Sequence, residues 1–156
     1  MDKATQVLHA ARSKGWRIAT AESCTGGLIA GALTEIPGSS DVVDRGFVTY
    51  SNAAKTEMLG VTPEALDAYG AVSEQVAAQM AEGARRAAGV ALSVSVTGIA
   101  GPGGSDHKPE GMVCFGLATA TETTTQTIQF DPLGRSGVRA ASVEYALDLL
   151  LMALDS

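Results

Sequence analysis

Apolar positions along the chain follow two periods. Ala4, Val7, Leu8 and Ala11 recur at i, i+3, i+4 and i+7, and Gly15 follows, so a helix is expected over residues 4–14. Arg17 to Ala21 is a short strand candidate that runs into Glu22-Ser23-Cys24-Thr25-Gly26-Gly27. Leu28, Ile29, Ala32, Leu33 and Ile36 mark a second helix, stopped by Pro37-Gly38. Val42 to Tyr50 reads as a strand, after which Ser51 or Asn52 can cap a short helix carrying Lys55, Met58 and Leu59. Pro63 opens another short helix to about Tyr69. Ser73 and Glu74 begin a longer one over 73–88, with Val76, Ala77, Met80, Ala84 and Ala87 on one face.

From Val90 to Thr97 the period changes to two: Val90, Leu92, Val94 and Val96 alternate with Ala91, Ser93, Ser95 and Thr97. The small second face suits a closely packed helix as well as it suits water. Met112 to Thr119 and Thr123 to Phe130 predict two strands joined by a short Thr-rich turn, an antiparallel pair. A last helix is expected over 136–154, with Val138, Ala141, Tyr145, Leu149 and Met152 inward. Early alternation of helix and strand followed by a late hairpin predicts an α/β fold, a three-layer α/β/α sandwich on a mixed β-sheet. Strand order is not legible at this level.

With 156 residues the chain reads as a single domain over 1–156, able to bury roughly 70% of its unfolded surface. A composition of 46% hydrophobic and 18% charged residues needs no metal or disulfide staple. Cys24 and Cys114 form no CxxC and have no His cluster nearby, so neither a zinc site nor a disulfide framework is expected. The net charge of −6 argues against a nucleic-acid binder, which needs clustered cations, but leaves room for a local cationic pocket. The opening MDKATQVLHAARSK is too polar for a secretory leader, and no window approaches 18 continuous apolar residues. A soluble cytoplasmic protein with no membrane contact is the expectation.

Four segments can carry chemistry. In the turn Ser23 to Gly27, a strand feeds a helix through Thr25-Gly26-Gly27. Outward N–H groups at the positive helix end can hold a phosphate or a developing oxyanion, beside a hydroxyl at Ser23. The bland alternative is an ordinary turn with Ser or Thr as N-cap. A nucleophilic serine needs a base. His9 lies within the first helix and His107 in a Ser-Asp-His-Lys-Pro loop, so a Ser-His-Asp triad is poorly supported. Lys55 can serve if it is neutral, and burial or a helix N-terminus pushes it that way. The polar run Tyr50, Ser51, Asn52 beside it suits a pocket wall. Cys24 is a rival nucleophile, read here as a small buried packing residue.

The third segment is the long loop Gly98 to Gly111, including Gly101, after the clearest strand; such loops in α/β sheets favour ligand sites. It fails as a P-loop, because Gly104 stands where lysine is required, and it fails as GxGxxG. The fourth is Gly134-Arg135-Ser136-Gly137-Val138-Arg139, where either a phosphate clamp or a solvated helix end fits.

Taken together, Thr20-Ala21-Glu22-Ser23-Cys24-Thr25-Gly26-Gly27, Arg45 to Asn52 with Lys55, Gly70-Ala71-Val72-Ser73-Glu74, Thr97 to Pro102 and Lys108-Pro109-Glu110-Gly111 resemble, in order, the CinA C-terminal domain family. The match runs from about residue 4 to 150. The resemblance implies a nicotinamide-nucleotide amidohydrolase that converts nicotinamide mononucleotide and water to nicotinate mononucleotide and ammonia, in pyridine-nucleotide salvage. It implies Ser23 as nucleophile, Lys55 as base and Tyr50 as a helper. Thr25, Gly26, Gly27, Asn52, Gly98 and Gly101 are then expected to bind substrate, with an arginine near the last helix. Arg139, in Gly-Val-Arg, follows the family pattern there. Arg135 is its rival, because Asp131 to Arg135 holds an extra residue relative to that pattern. No cofactor or metal is called for. The partners expected are a small nucleotide substrate and, from the apolar run Leu147 to Leu154, a second copy in a homodimer, although that run fits a core equally well. A non-catalytic nucleotide-binding module and a serine amidase or esterase on another small substrate remain the alternatives.

Overall fold

Local signals place most element ends. The computed structural model describes residues 1–155 and contains α1 (Lys3–Lys14), β1 (Ile18–Glu22), α2 (Leu28–Thr34), β2 (Val43–Val48), α3 (Asn52–Leu59), α4 (Pro63–Tyr69), α5 (Glu74–Ala88), β3 (Leu92–Gly98), β4 (Met112–Ala118), β5 (Thr123–Gln129) and α6 (Gly134–Leu154). A 3-10 turn at Ser39–Asp41 precedes β2. Side-chain oxygens of Asp2, Ser51, Thr62 and Ser73 accept the third following backbone N–H at the starts of α1, α3, α4 and α5. Ser51, rather than Asn52, is therefore the cap that positions Lys55.

The strands form one sheet in the order β2-β1-β3-β4-β5, with β1 parallel to β2 and β3, and β4 antiparallel to both its neighbours. On one face α1, α2 and α6 pack Val7, Leu8, Ile29, Leu33 and Leu150 against Ile18, Val94, Val96 and Phe115. On the other, α3, α4 and α5 bring Leu59, Ala65, Val76 and Met80 against Ala21. The result is the expected three-layer sandwich on a mixed sheet. No helix among the described residues is long and apolar enough to cross a membrane.

The small second face of β3 meets a helix, not water. Ser93 and Ser95 hydroxyls donate to the Ala81 and Ala77 carbonyls of α5, each at 2.6 Å, and Thr97 donates to Ala71 O at 2.9 Å. A Cβ at Gly116 would lie 2.5 Å from Ala77 O, so the neighbouring strand also needs the absence of a side chain there. Close approach leaves helix carbonyls within reach of strand hydroxyls, and the pairs satisfy each other in the core.

Two expected faces are corrected. Leu28 at the start of α2 is exposed, and Met152 in α6 is 63% exposed, whereas Ser142, Ala146, Leu147 and Leu150 are buried. The inward stripe of α6 is thus shifted from the expected Ala141-Tyr145-Met152 line. Ser142 escaped that reading because its hydroxyl donates to Val138 O within the helix at 2.7 Å, so a polar residue sits in the core at little cost.

The topology decides where a site can form. From β1 the chain crosses to β2 by α2 on one face, then reaches β3 by α3, α4 and α5 on the other. The chain leaves the carboxyl end of β1 toward β2 and that of β3 toward β4, in opposite directions along the sheet. The two exits leave a crevice between them, a topological switch point.

Candidate active site

Ser23 is the first residue after β1. Its N–H donates to Val96 O of β3 at 3.0 Å, while the preceding Glu22 O accepts from Thr49 N–H beyond β2 at 2.8 Å. The nucleophile candidate is thus held between two parallel neighbours, at the carboxyl end of the central strand. From Thr49 the chain turns through Tyr50 into α3. The first helical turn returns Lys55 over the strand end, where its Nζ lies 3.0 Å from Ser23 Oγ and donates to Thr49 O at 2.9 Å. Lys55 is 1% exposed and Ser23 8% exposed.

Burial pushes the Lys55 pKa below its ordinary 10.5, because desolvation penalises the ammonium. No ion pair among the described residues involves Lys55. Cys24, also buried, has its thiol pushed up to about 11 by desolvation, so it is protonated at neutral pH and supplies no negative charge to Lys55.

Glu22 takes a part that its place in the motif did not reveal. The start of α2 carries no side-chain cap from Ser23 or Thr25; Gly27 is the cap residue. Instead Glu22, buried, reaches the open helix end. Its Oε1 accepts from Thr25 Oγ1 at 2.6 Å and Ile29 N–H at 2.9 Å, and its Oε2 accepts from Ala30 N–H at 3.0 Å. A carboxylate at the positive helix end satisfies two orphan donors. It also occupies the place where a substrate phosphate on α2 was an open alternative. Gly26 N–H closes the turn onto Ser23 O at 3.0 Å, so that one of the three expected outward donors points inward.

A cavity of about 280 Å³ opens over Ser23 and Lys55, walled by Tyr50, Asn52, Ala71, Val72, Thr97, Gly98, Ile99, Ser105, Asp106 and Arg135 among others. Six expected site residues meet there: Ser23, Lys55, Tyr50, Asn52, Gly98 and Arg135. Thr25, Gly26, Gly27, Gly101 and Arg139 stand outside its wall. Tyr50 is 62% exposed, and its hydroxyl accepts from Arg135 Nη2 at 2.8 Å, while Arg135 Nη1 donates to Gly101 O at 2.8 Å. Arg139, one helical turn further along α6, donates from Nε to Cys24 O at 3.0 Å and from Nη2 to Thr25 O at 3.4 Å. The arginine expected to bind substrate therefore braces the turn from behind, and its rival lines the cavity.

Thr49 O, Asp106, Ala71 and Val72 were not singled out as site residues. A backbone carbonyl gives no signal in sequence, and the Gly70 to Val72 run comes to the cavity only because α4 ends there. No group of three or more His, Cys, Asp and Glu side chains among the described residues is placed to hold a metal ion. His9 is on α1 and His107 on the 98–111 loop, so neither meets Ser23.

A family model described as the CinA C-terminal domain matches residues 1–154. The nicotinamide-nucleotide amidohydrolase PncC of Enterobacter agglomerans is 52% identical over 143 residues, covering 91% of this chain and 87% of that protein. A CinA-like protein of Syntrophobacter fumaroxidans is 51% identical over 144 residues, 92% of this chain but 34% of that protein. The chain thus spans about a third of the length of several curated relatives that it matches. Among solved structures, the competence/damage inducible protein CihA from Agrobacterium tumefaciens superposes with a TM-score of 0.94 at 49% identity, covering 99% of this chain and 94% of that one. With its sequence matched almost end to end and its fold shared, the chain belongs to the CinA C-terminal domain family.

Proposed function

We infer that this chain is a serine amidohydrolase with a lysine base, acting on the carboxamide of nicotinamide mononucleotide in the cytoplasm, in pyridine-nucleotide salvage. The observation that carries the reading is the 3.0 Å approach of a buried, desolvated Lys55 Nζ to Ser23 Oγ at the floor of an open cavity. The similarity to PncC, a nicotinamide-nucleotide amidohydrolase, supports this choice of substrate.

In this reading neutral Lys55 takes the Ser23 proton as Oγ attacks the carboxamide carbon. Thr49 O orients the amine and stabilises the ammonium that forms. The backbone N–H of Cys24, the cavity-wall residue directly after Ser23, serves the oxyanion. The Lys55 ammonium then protonates the departing nitrogen, ammonia leaves, and a nicotinoyl ester remains on Ser23. Water attacks that ester and gives a proton to Lys55; as the ester bond breaks, Lys55 returns a proton to Oγ, so that nicotinate mononucleotide and the starting enzyme result. Arg135 holds the phosphate with the guanidinium N–H groups left over from Tyr50 and Gly101. Tyr50 aims Arg135, and Asn52 and Gly98 line the wall beside the ring.

The test is ammonia release from nicotinamide mononucleotide by the purified chain. Ser23→Ala is expected to cut turnover by about 10³-fold or more while keeping the fold. Substrate binding without ammonia would leave a nucleotide-binding module instead. Turnover of other small amides but not of this nucleotide would leave a general serine amidase.

A further inference from the structure

We propose that Asp106 is a specificity-determining residue of this cavity, its carboxylate selecting the oxidised, positively charged pyridine ring over the neutral reduced ring. The proposal rests on the functional reading above only for the ligand.

Asp106 is delivered by a built feature of the loop between β3 and β4. Ser105 and Lys108 exchange backbone hydrogen bonds of 2.9 and 2.8 Å, and the two residues between them, Asp106 and His107, have φ of 51° and 64°. That is a two-residue hairpin of the type with both central positions left-handed, where Asn-Gly or Asp-Gly is the usual choice. His107 in the second position is strained, and non-glycine residues held in this region cluster at ligand sites. The hairpin is braced at its base. Lys108 Nζ donates to Tyr69 O at 2.8 Å and to Val72 O, Glu110 Oε1 accepts from Gly103 N–H at 2.7 Å, and a Cβ at Gly104 would collide with Lys108 O.

Braced in this way, the tip places Ser105 and Asp106 in the cavity wall with Ser23, Lys55 and Arg135. Asp106 is the one acidic side chain of that wall, and it makes no ion pair or hydrogen bond through its carboxylate among the described residues. The adjacent Lys108 ammonium is turned away onto carbonyls. A lone carboxylate repels a phosphorylated ligand unless that ligand also carries a positive charge. The oxidised pyridine ring of a mononucleotide carries one on its quaternary nitrogen at every pH, in the ring that bears the carboxamide. A zwitterion of this kind matches a wall with Arg135 for phosphate and Asp106 for the ring cation, and the reduced ring matches only half of it.

The experiment measures binding of oxidised and of 1,4-dihydro nicotinamide mononucleotide to the full chain carrying Ser23→Ala, by calorimetry, with and without Asp106→Asn. The oxidised form is expected to bind about tenfold tighter, and Asp106→Asn to bring the two within about threefold by weakening only the oxidised form. Asp106→Gly, which keeps the left-handed turn, should do the same. Equal weakening of both forms, or a preference unchanged by either variant, overturns the proposal. Ammonia release by the unmodified chain separates the two readings. A preference that depends on Asp106 without ammonia sinks the amidohydrolase and leaves this proposal standing; ammonia without such a preference does the reverse. Failure of both nucleotides to bind overturns this proposal, and if the unmodified chain also releases no ammonia it overturns both.

Discussion

At the scale of single residues, the site depends on one amine being uncharged when it is needed. Lys55 is buried with a carbonyl and a hydroxyl as neighbours and no carboxylate partner, so its pKa falls below 10.5. The deprotonated base gains population as pH rises. The pH profile of kcat/KM is therefore expected to climb to a plateau through an apparent pKa lower than 10.5. Lys55→Arg keeps the charge but holds it permanently, so turnover should fall by about 10³-fold with no rising limb. A steady-state pH series on both proteins checks this; an unshifted profile for the lysine enzyme, or an active arginine variant, would remove Lys55 from the base role. Ser23 and Lys55 were both legible as candidates, from a hydroxyl in a β-to-α turn and a lysine in a capped first turn. Their partnership was expected only through the family resemblance, because 32 residues separate them and the sheet brings them together.

Elements hold those residues in register. The turn after β1 is fastened by Glu22 on the end of α2 and by Arg139 on the Cys24 and Thr25 carbonyls. Glu22→Ala strands two helix N–H groups and a buried hydroxyl, so urea unfolding should show a loss of about 3 kcal/mol, with activity falling further as the turn loosens. Glu22 was visible in the motif, but its role was not. A carboxylate that precedes a helix by six residues caps it only if the turn folds back, which Gly26 and Gly27 allow by adopting positive φ. Position along the helix axis explains the arginines. Arg135 and Arg139 lie four apart on one face of α6, and sequence cannot tell which turn of a helix lies level with a strand end. Packing of α6 on β3 puts Arg135 there.

Across the whole molecule, the buried lysine costs stability that the fold supplies elsewhere. Its pKa is lower in the folded chain than in the unfolded one. Between those two values the unfolded state holds the extra proton, and stability rises with pH across that window. Below it the ammonium is charged in both states and the folded protein bears the full desolvation cost. Lys55→Met should therefore be more stable than the parent by about 1 kcal/mol near pH 6, with the advantage shrinking as pH climbs toward 10.5. Paired thermal melts across that range measure it; an advantage that grows with pH would mean that burial does not depress this amine.

The sequence by itself determined the elements, the α/β class, the three layers and the late antiparallel pair, because period, capping and turn chemistry act over a few residues. It also carried the family, through an ordered set of short motifs. Tertiary structure alone decided the strand order and the crevice between β1 and β3. It also decided the distance between Ser23 and Lys55 and which of the two arginines lines the cavity. Those features depend on distances between segments far apart in the chain, and such distances are set by how layers pack, not by any local preference.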